Sequence, residues 1–346
     1  MTDSALPSLR RRSTPTFVIA VVGAIFVLLF LAGIAFGSTW IPLDTVANVL
    51  LGGGEKTDKL VVLQLRMPRV ALAAIAGAAM ALSGYLLQRI TRNELASPGV
   101  LGVVDGAALG VVLFMAIFVN ESNALTVSVA WQPLAAVIGA LTAISLVFLL
   151  SGRQASSAIR LLLFGIAVAA AAKALTTIFM LIGPIYQASQ AARWLAGAVN
   201  TANWTEIQYM LAVLVPAAIL AALAARHLPP ADLDDTSSRS IGLNLPVYRI
   251  YVFFLAAVLT AGAVAFAGGV SFIGLMAPHL ARLLVGRARV AGMATSMMLG
   301  AIILIGADLL VRVAFAPLEV PAGTVTAVIG APYFLYLLMR KDRTNG

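Results

Sequence analysis

Runs of about 20 mainly apolar residues, the length a helix needs to cross a bilayer, recur some ten times along this chain with short polar breaks between them. The approximate spans are 17–37, 64–90, 97–119, 130–151, 158–183, 204–226, 246–268, 271–286, 292–316 and 321–340. A backbone in hydrocarbon must satisfy its own hydrogen bonds, so runs of this kind fold as helices. Only 11% of the 346 residues are charged and 61% are hydrophobic, which excludes a water-soluble globular domain. The expectation is an all-α polytopic membrane protein with about ten transmembrane helices: one transmembrane domain over 17–340, with short tails at 1–16 and 341–346. The run at 271–286 is short and follows Gly268-Gly269, which predicts a half-length or broken helix lining protein rather than lipid. The stretch from Ile185 to Gly197 predicts a short helix on the outer side.

Basic residues orient the chain. With the N-terminus inside, 16 Lys and Arg fall on the inner face, 6 on the outer face, and Lys173 lies within a span. That excess places both termini in the cytoplasm. Trp40, Trp131, Trp194 and Trp204 all fall at predicted outer boundaries, the headgroup level that suits amphipathic rings. The formal net charge of +9 is scattered between apolar runs and is not interleaved with exposed aromatics, so no nucleic-acid partner is expected. With no cysteine and two histidines, His227 and His279, the chain offers no disulfide, no thiolate nucleophile and no His-rich metal site.

Small residues suggest how the helices pack. Gly102, Gly106 and Gly110 recur every four residues on one face of the third span, and Gly77, Ser83 and Gly84 put small groups on the second. Polar segments that interrupt apolar runs are the candidates for function. They are Arg66-Met67-Pro68-Arg69; the stretch from Gln88 to Gly102, containing Arg92-Asn93-Glu94-Leu95-Ala96-Ser97-Pro98; the stretch from Gly268 to Arg282, containing Phe272-Ile273-Gly274-Leu275 and Pro278-His279; Ala307-Asp308 with Arg312; and Glu319-Val320-Pro321-Ala322-Gly323.

In that order, from residue 66 to 339, these segments resemble the FecCD family of ABC-importer permeases, whose members carry ferric siderophores, haem or cobalamin. Two positions depart from the family pattern: Glu94 stands where a proline is usual, and Asp105 where a serine or asparagine is common. The resemblance implies a type II ABC-importer permease fold of ten helices. It also implies a second permease subunit, identical or homologous, two cytosolic ATPase subunits, and a periplasmic or lipid-anchored substrate-binding protein. No Gly-Lys-Ser or Gly-Lys-Thr occurs, so this chain has no P-loop. It is expected to be a transport subunit rather than an enzyme, binding no cofactor itself, with ATP and Mg used by the partner ATPase.

By resemblance, Arg66, Arg69 and Arg312 are sockets for acidic residues of the binding protein, a task suited to bidentate, permanently charged guanidinium groups. An internal pair is the alternative, because Asp308 and Arg312 are four apart on one helix. The segment 231–245 matches the part that seats in the ATPase groove, with Leu233, Asp235, Arg239 and Gly242 as its contacts. Asn93 and Leu95 match the cytoplasmic gate, although Asn93 could equally cap the loop. His279 reads as a hydrogen-bonded packing element. Asp105 and Lys173 are charges within spans; counted from their span starts at ~1.5 Å per residue they lie roughly 12 and 22 Å above the inner helix ends, which disfavours a direct pair.

The leading expectation is therefore the permease of an importer for a ferric siderophore, with haem or cobalamin as alternative cargo. A proton- or sodium-driven transporter would need intramembrane carboxylates or unwound helices as ion sites, and only Asp105 is well placed. An intramembrane enzyme lacks a nucleophile joined to a base.

Overall fold

The computed structural model describes residues 14–37, 39–120, 125–152, 157–200, 202–228, 240, 242, 244–286, 288–316 and 318–342, and all its regular elements are helical. Helix α1 (Pro15–Ala35) is followed by the short α2 (Leu43–Leu50) and α3 (Lys56–Lys59). A π-helical run, Leu60–Arg66, joins α3 to α4 (Met67–Thr91) without a break, so the second span begins at Lys56 rather than near 64. There follow α5 (Val103–Ile117), α6 (Gln132–Ser151), α7 (Ala158–Ile182), α8 (Ile185–Leu195) and α9 (Trp204–Ala224). The last four are α10 (Leu245–Ala267), α11 (Ile273–Val285), α12 (Arg289–Ala314) and α13 (Ala322–Asp342). Seven stretches are long and apolar enough to cross a membrane alone, and Val103–Ile117, Ile273–Val285 and Ala322–Leu337 are shorter apolar helices. All ten expected spans thus have a helix, and the predicted short helix after residue 184 is α8.

Helix α4 is the centre of the bundle: 78% of its apolar window is buried, against 22% for α1 and 28% for α7. It packs on α12, α10 and α11. Small residues set these contacts. A Cβ on Gly77 would run into the Gly300 carbonyl of α12, and one on Gly84 into the Gly274 carbonyl of α11. The hydroxyls of Ser83 (2.7 Å) and Thr260 (2.8 Å) both donate to the Ala256 carbonyl, joining α4 to α10 inside the bundle.

Two segments leave the helical pattern inside the bundle. Helix α4 ends at Thr91 in a Schellman turn, with the Asn93 amide bonded to the Gln88 carbonyl and Arg92 in the left-handed region at φ 53°. The chain then turns back, and Pro98 reaches Gly274 and the level of Met80, near the middle of α4. From the other direction, α10 ends at Gly268 and the chain runs through 268–272 to start α11 at Ile273, again beside Met80. The expected broken helix is therefore α11, a 13-residue rod that begins at mid-depth. The third span departs from expectation in the same way: a 3-10 turn, Pro98–Leu101, and Gly102 at φ 74° precede α5, which starts only at Val103. Irregular backbone at such depth is stable where it is buried in protein or lines an aqueous space.

Candidate functional site

At the α1 C-terminus, three arginines converge from distant parts of the sequence. Arg69 from α4 donates from Nε (2.8 Å) and Nη2 (2.7 Å) to Oδ1 of Asp308 on α12, whose other oxygen lies 3.0 Å from Arg312 Nε. Arg312 also donates to the carbonyls of Gly33 (2.9 Å) and Phe36 (3.2 Å), and Arg66 to those of Ile34 (3.0 Å), Ala35 (2.7 Å) and Thr39. The final carbonyls of a helix have no partner within it and carry its negative end. Two guanidinium groups satisfy them here, while the 1% exposed Asp308 pairs with Arg69 and Arg312. Arg66 is 7% exposed and the Arg312 side chain 9%, so both point into the protein rather than outward as the socket reading expected. The Asp308–Arg312 helix pair weighed as the alternative is present. Arg69, at 19%, is the most accessible of the three.

Arg69 and Asp308 also line a polar cavity of about 530 Å³ with Gln132, Gln190, Arg193, Asn200, Glu206 and Glu319. Its wall includes α8 and the start of α13. Asn200 Nδ2 donates to Glu319 Oε2 at 2.8 Å across it, and Arg193 is exposed at its mouth.

A second cavity, of about 400 Å³, lies at mid-depth where the two irregular segments meet. It is lined by Leu95, Ser97, Pro98 and Asp105 from one stretch of chain, by Ser271, Phe272 and Leu275 from the other, and by Met80 of α4 and Phe334 of α13. Phe272 adopts φ 64° and leads directly into α11. A non-glycine residue in that region signals backbone held in place by its surroundings. Here Gly330 provides the room, since any Cβ on it would strike the Phe272 ring.

At the opposite end from the arginine cluster, Asn93 is exposed and its side chain accepts from the Leu95 amide at 3.0 Å, the capping arrangement. Leu95 is half-buried and faces the mid-depth cavity. Between them stands Glu94, which pairs with Arg282 of α11 and lies 3.6 Å from His279 Nδ1. His279 is 7% exposed and meets the Tyr333 ring edge-on at 6.0 Å. Sequence reasoning treated Glu94 only as a departure from a proline; the pair it makes ties the loop after α4 to the half-length helix. Its visible signal was Arg282, one helical turn beyond His279.

Of the three glycines expected on one face, Gly106 and Gly110 lie against α6, where a Cβ would strike the carbonyls of Gly139 and Ala135. Gly102 does not share that face: it precedes α5 and touches Gly165 and Ala169 of α7. This contact also revises the heights of Asp105 and Lys173. The start of α5 sits about two to three turns up α7, so Asp105, three residues past Gly102, lies close to the level of Lys173, four residues past Ala169. Among the described residues no ion pair within 4.0 Å joins the two. Of the 231–245 contacts, Leu233, Asp235 and Arg239 lie outside the described residues, and Gly242 is in a turn at φ 84°. Among the described residues no group of three His, Cys, Asp or Glu could hold a metal ion.

Ten apolar helices, three of them too short to span alone, with a mid-depth cavity where irregular backbone meets and a polar cavity at the arginine end, define a membrane transport subunit. The chain belongs to the FecCD transport family, whose model matches residues 25–340. It is 40% identical over 314 residues to the probable siderophore transport system permease protein YfhA of Bacillus subtilis, covering 91% of each chain. It is 36% identical over 334 residues to the iron(3+)-hydroxamate import system permease protein FhuG of the same organism, covering 96% of this chain and 99% of that one. A solved metal-chelate type ABC transporter in an inward-facing conformation superimposes with a TM-score of 0.82 at 27% identity, over 94% of this chain and 99% of that chain. The protein is thus the permease of a metal-chelate or siderophore-type ABC importer, a transport component whose ATPase is a separate chain.

Proposed function

We propose that this permease moves a ferric siderophore across the bacterial cytoplasmic (inner) membrane, receiving it from a periplasmic or lipid-anchored substrate-binding protein. The observation that carries the cargo is the end-to-end similarity to the siderophore and iron-hydroxamate permeases. In this reading the arginine cluster faces outward and both termini are cytoplasmic, which agrees with the excess of basic residues toward the Arg89 end. The passage runs from the polar cavity near Arg69, past the mid-depth cavity, to Asn93 and Leu95 as the cytoplasmic gate. Carboxylates of the binding protein land on Arg69 and the exposed Arg193 at the mouth, while Arg66 and Arg312 hold the rim in shape from within. A second permease subunit, identical or homologous, completes the passage. Two cytosolic ATPase subunits engage the segment 231–245 through Leu233, Asp235, Arg239 and Gly242, and they use the ATP and Mg while this chain binds no cofactor.

The test is uptake of iron-55 presented as a hydroxamate, catecholate or citrate chelate, with haem and cobalamin alongside, in cells that have this chain as their only family permease. Uptake of one iron chelate that survives an uncoupler and stops when ATP hydrolysis is blocked is the expected result. Uptake of haem or cobalamin alone would reassign the cargo, and uptake abolished by the uncoupler with ATP intact would reject the importer.

A further inference from the structure

Helix α7 carries a lysine where a membrane helix tolerates one poorly. Lys173 lies about 14 Å from the nearer end of α7 at ~1.5 Å per residue, too far in for its ammonium to reach the headgroups. The residue is exposed, and a bare ammonium facing hydrocarbon is strongly disfavoured. Its surroundings include an opposite charge on the neighbouring helix α5, Asp105. The face of α7 that carries Gly165 and Ala169 packs on the 98–102 turn, and Lys173 continues that face one turn further. On the facing element, Asp105 lines the mid-depth cavity between two stretches of irregular backbone, and it is half-buried where Lys173 is exposed.

We propose that Lys173 projects into a water-filled passage continuous with this cavity and makes it selective for anionic solutes, with Asp105 as the counter-charge that keeps the lysine tolerable in the membrane. The ligand class is a metal chelate bearing net negative charge on carboxylate or catecholate oxygens. This assignment rests on the importer reading for its cargo, but the passage and its charge preference do not require ATP.

The chain has no native cysteine, so a single introduced thiol reports without background. Ser271 is exposed on the cavity wall, and Ser271→Cys in the assembled transporter, in membrane vesicles, is the reporter. The measurement is the ratio of its reaction rates with an anionic and a cationic methanethiosulfonate reagent of similar size, neither of which crosses lipid. Lys173→Met is expected to lower the anion-to-cation ratio about tenfold, the effect of removing one nearby charge from a poorly screened site. Lys173→Arg is expected to preserve the ratio and Asp105→Asn to raise it. Lys173→Arg also guards against misfolding, since a ratio retained there and lost in Lys173→Met cannot come from a damaged bundle. A reporter unreactive toward both reagents, or a ratio unchanged by Lys173→Met, would overturn the proposal. Loss of ATP dependence in the uptake assay would remove the importer reading while leaving the charge preference measurable on its own.

Discussion

At the scale of single residues, the cluster around Asp308 concentrates the most stability at one position. Asp308 is 1% exposed and is the counter-charge for both Arg69 and Arg312. Removing one partner of a buried ionic group typically costs about 3–5 kcal/mol, because the others stay buried and uncompensated. Asp308→Ala is therefore expected to lower the thermal unfolding midpoint of the purified transporter sharply, and Asp308→Asn, which keeps shape and one acceptor, to fall between. Glu94 presents the opposite case. Its pair with Arg282 is half-exposed, so Glu94→Gln should cost about 0.2–1 kcal/mol and hardly move the unfolding midpoint. Its expected effect is on coupling: freeing the loop from α11 should raise ATP hydrolysis per chelate transported, measured in proteoliposomes. The sequence displayed every one of these residues. It did not display that α1 would supply the carbonyls to which Arg66 and Arg312 turn, because a backbone acceptor leaves no mark in a side-chain pattern.

At the scale of helices, contact between backbones decides what each position tolerates. Gly139 of α6 faces Gly106 and Gly110 with no room for a Cβ, so Gly139→Val must separate α5 from α6. Overpacking of this kind costs about 1–3 kcal/mol, and reduced yield of folded protein is the expected readout. Gly306 of α12 has nothing within 4 Å of its Cβ position. Gly306→Ala should raise stability by up to about 1 kcal/mol through helix propensity alone, and the same thermal assay compares the two. The existence of ten apolar helices was legible from run length, and the short α11 from Gly268-Gly269. The upstream extension of α4 to Lys56 was not, because Lys56, Asp58 and Lys59 read as a polar break although they continue into helix. The late start of α5 was hidden for the opposite reason: 97–102 is apolar enough for a span, yet Pro98 and the left-handed Gly102 hold it out of the helix.

At the scale of the whole molecule, the two irregular segments place exchangeable backbone at the depth where the bundle is otherwise closed. Amides over 97–102 and 268–272 are expected to exchange with deuterium faster than those of α4 around Met80, although all lie at one level. Equal protection would mean that the mid-depth cavity stays dry.

The latch on α1 also bears on the order in which the molecule is made. The carbonyl of Gly33 waits for a guanidinium 279 residues further along the chain. At a synthesis rate of about 5–20 residues per second, Arg312 emerges on the order of 15–60 s after the helix it fastens. For that interval Arg66, made only some thirty residues later, holds the neighbouring Ile34 and Ala35 carbonyls, while the Gly33 carbonyl lacks its guanidinium. The composition of α1 suits the wait, since Pro15–Ala35 contains no Asp, Glu, Lys or Arg and needs no neighbour to shelter a charge. Assembly of the bundle thus closes on its beginning, with one of the last helices to leave the ribosome locking down the first.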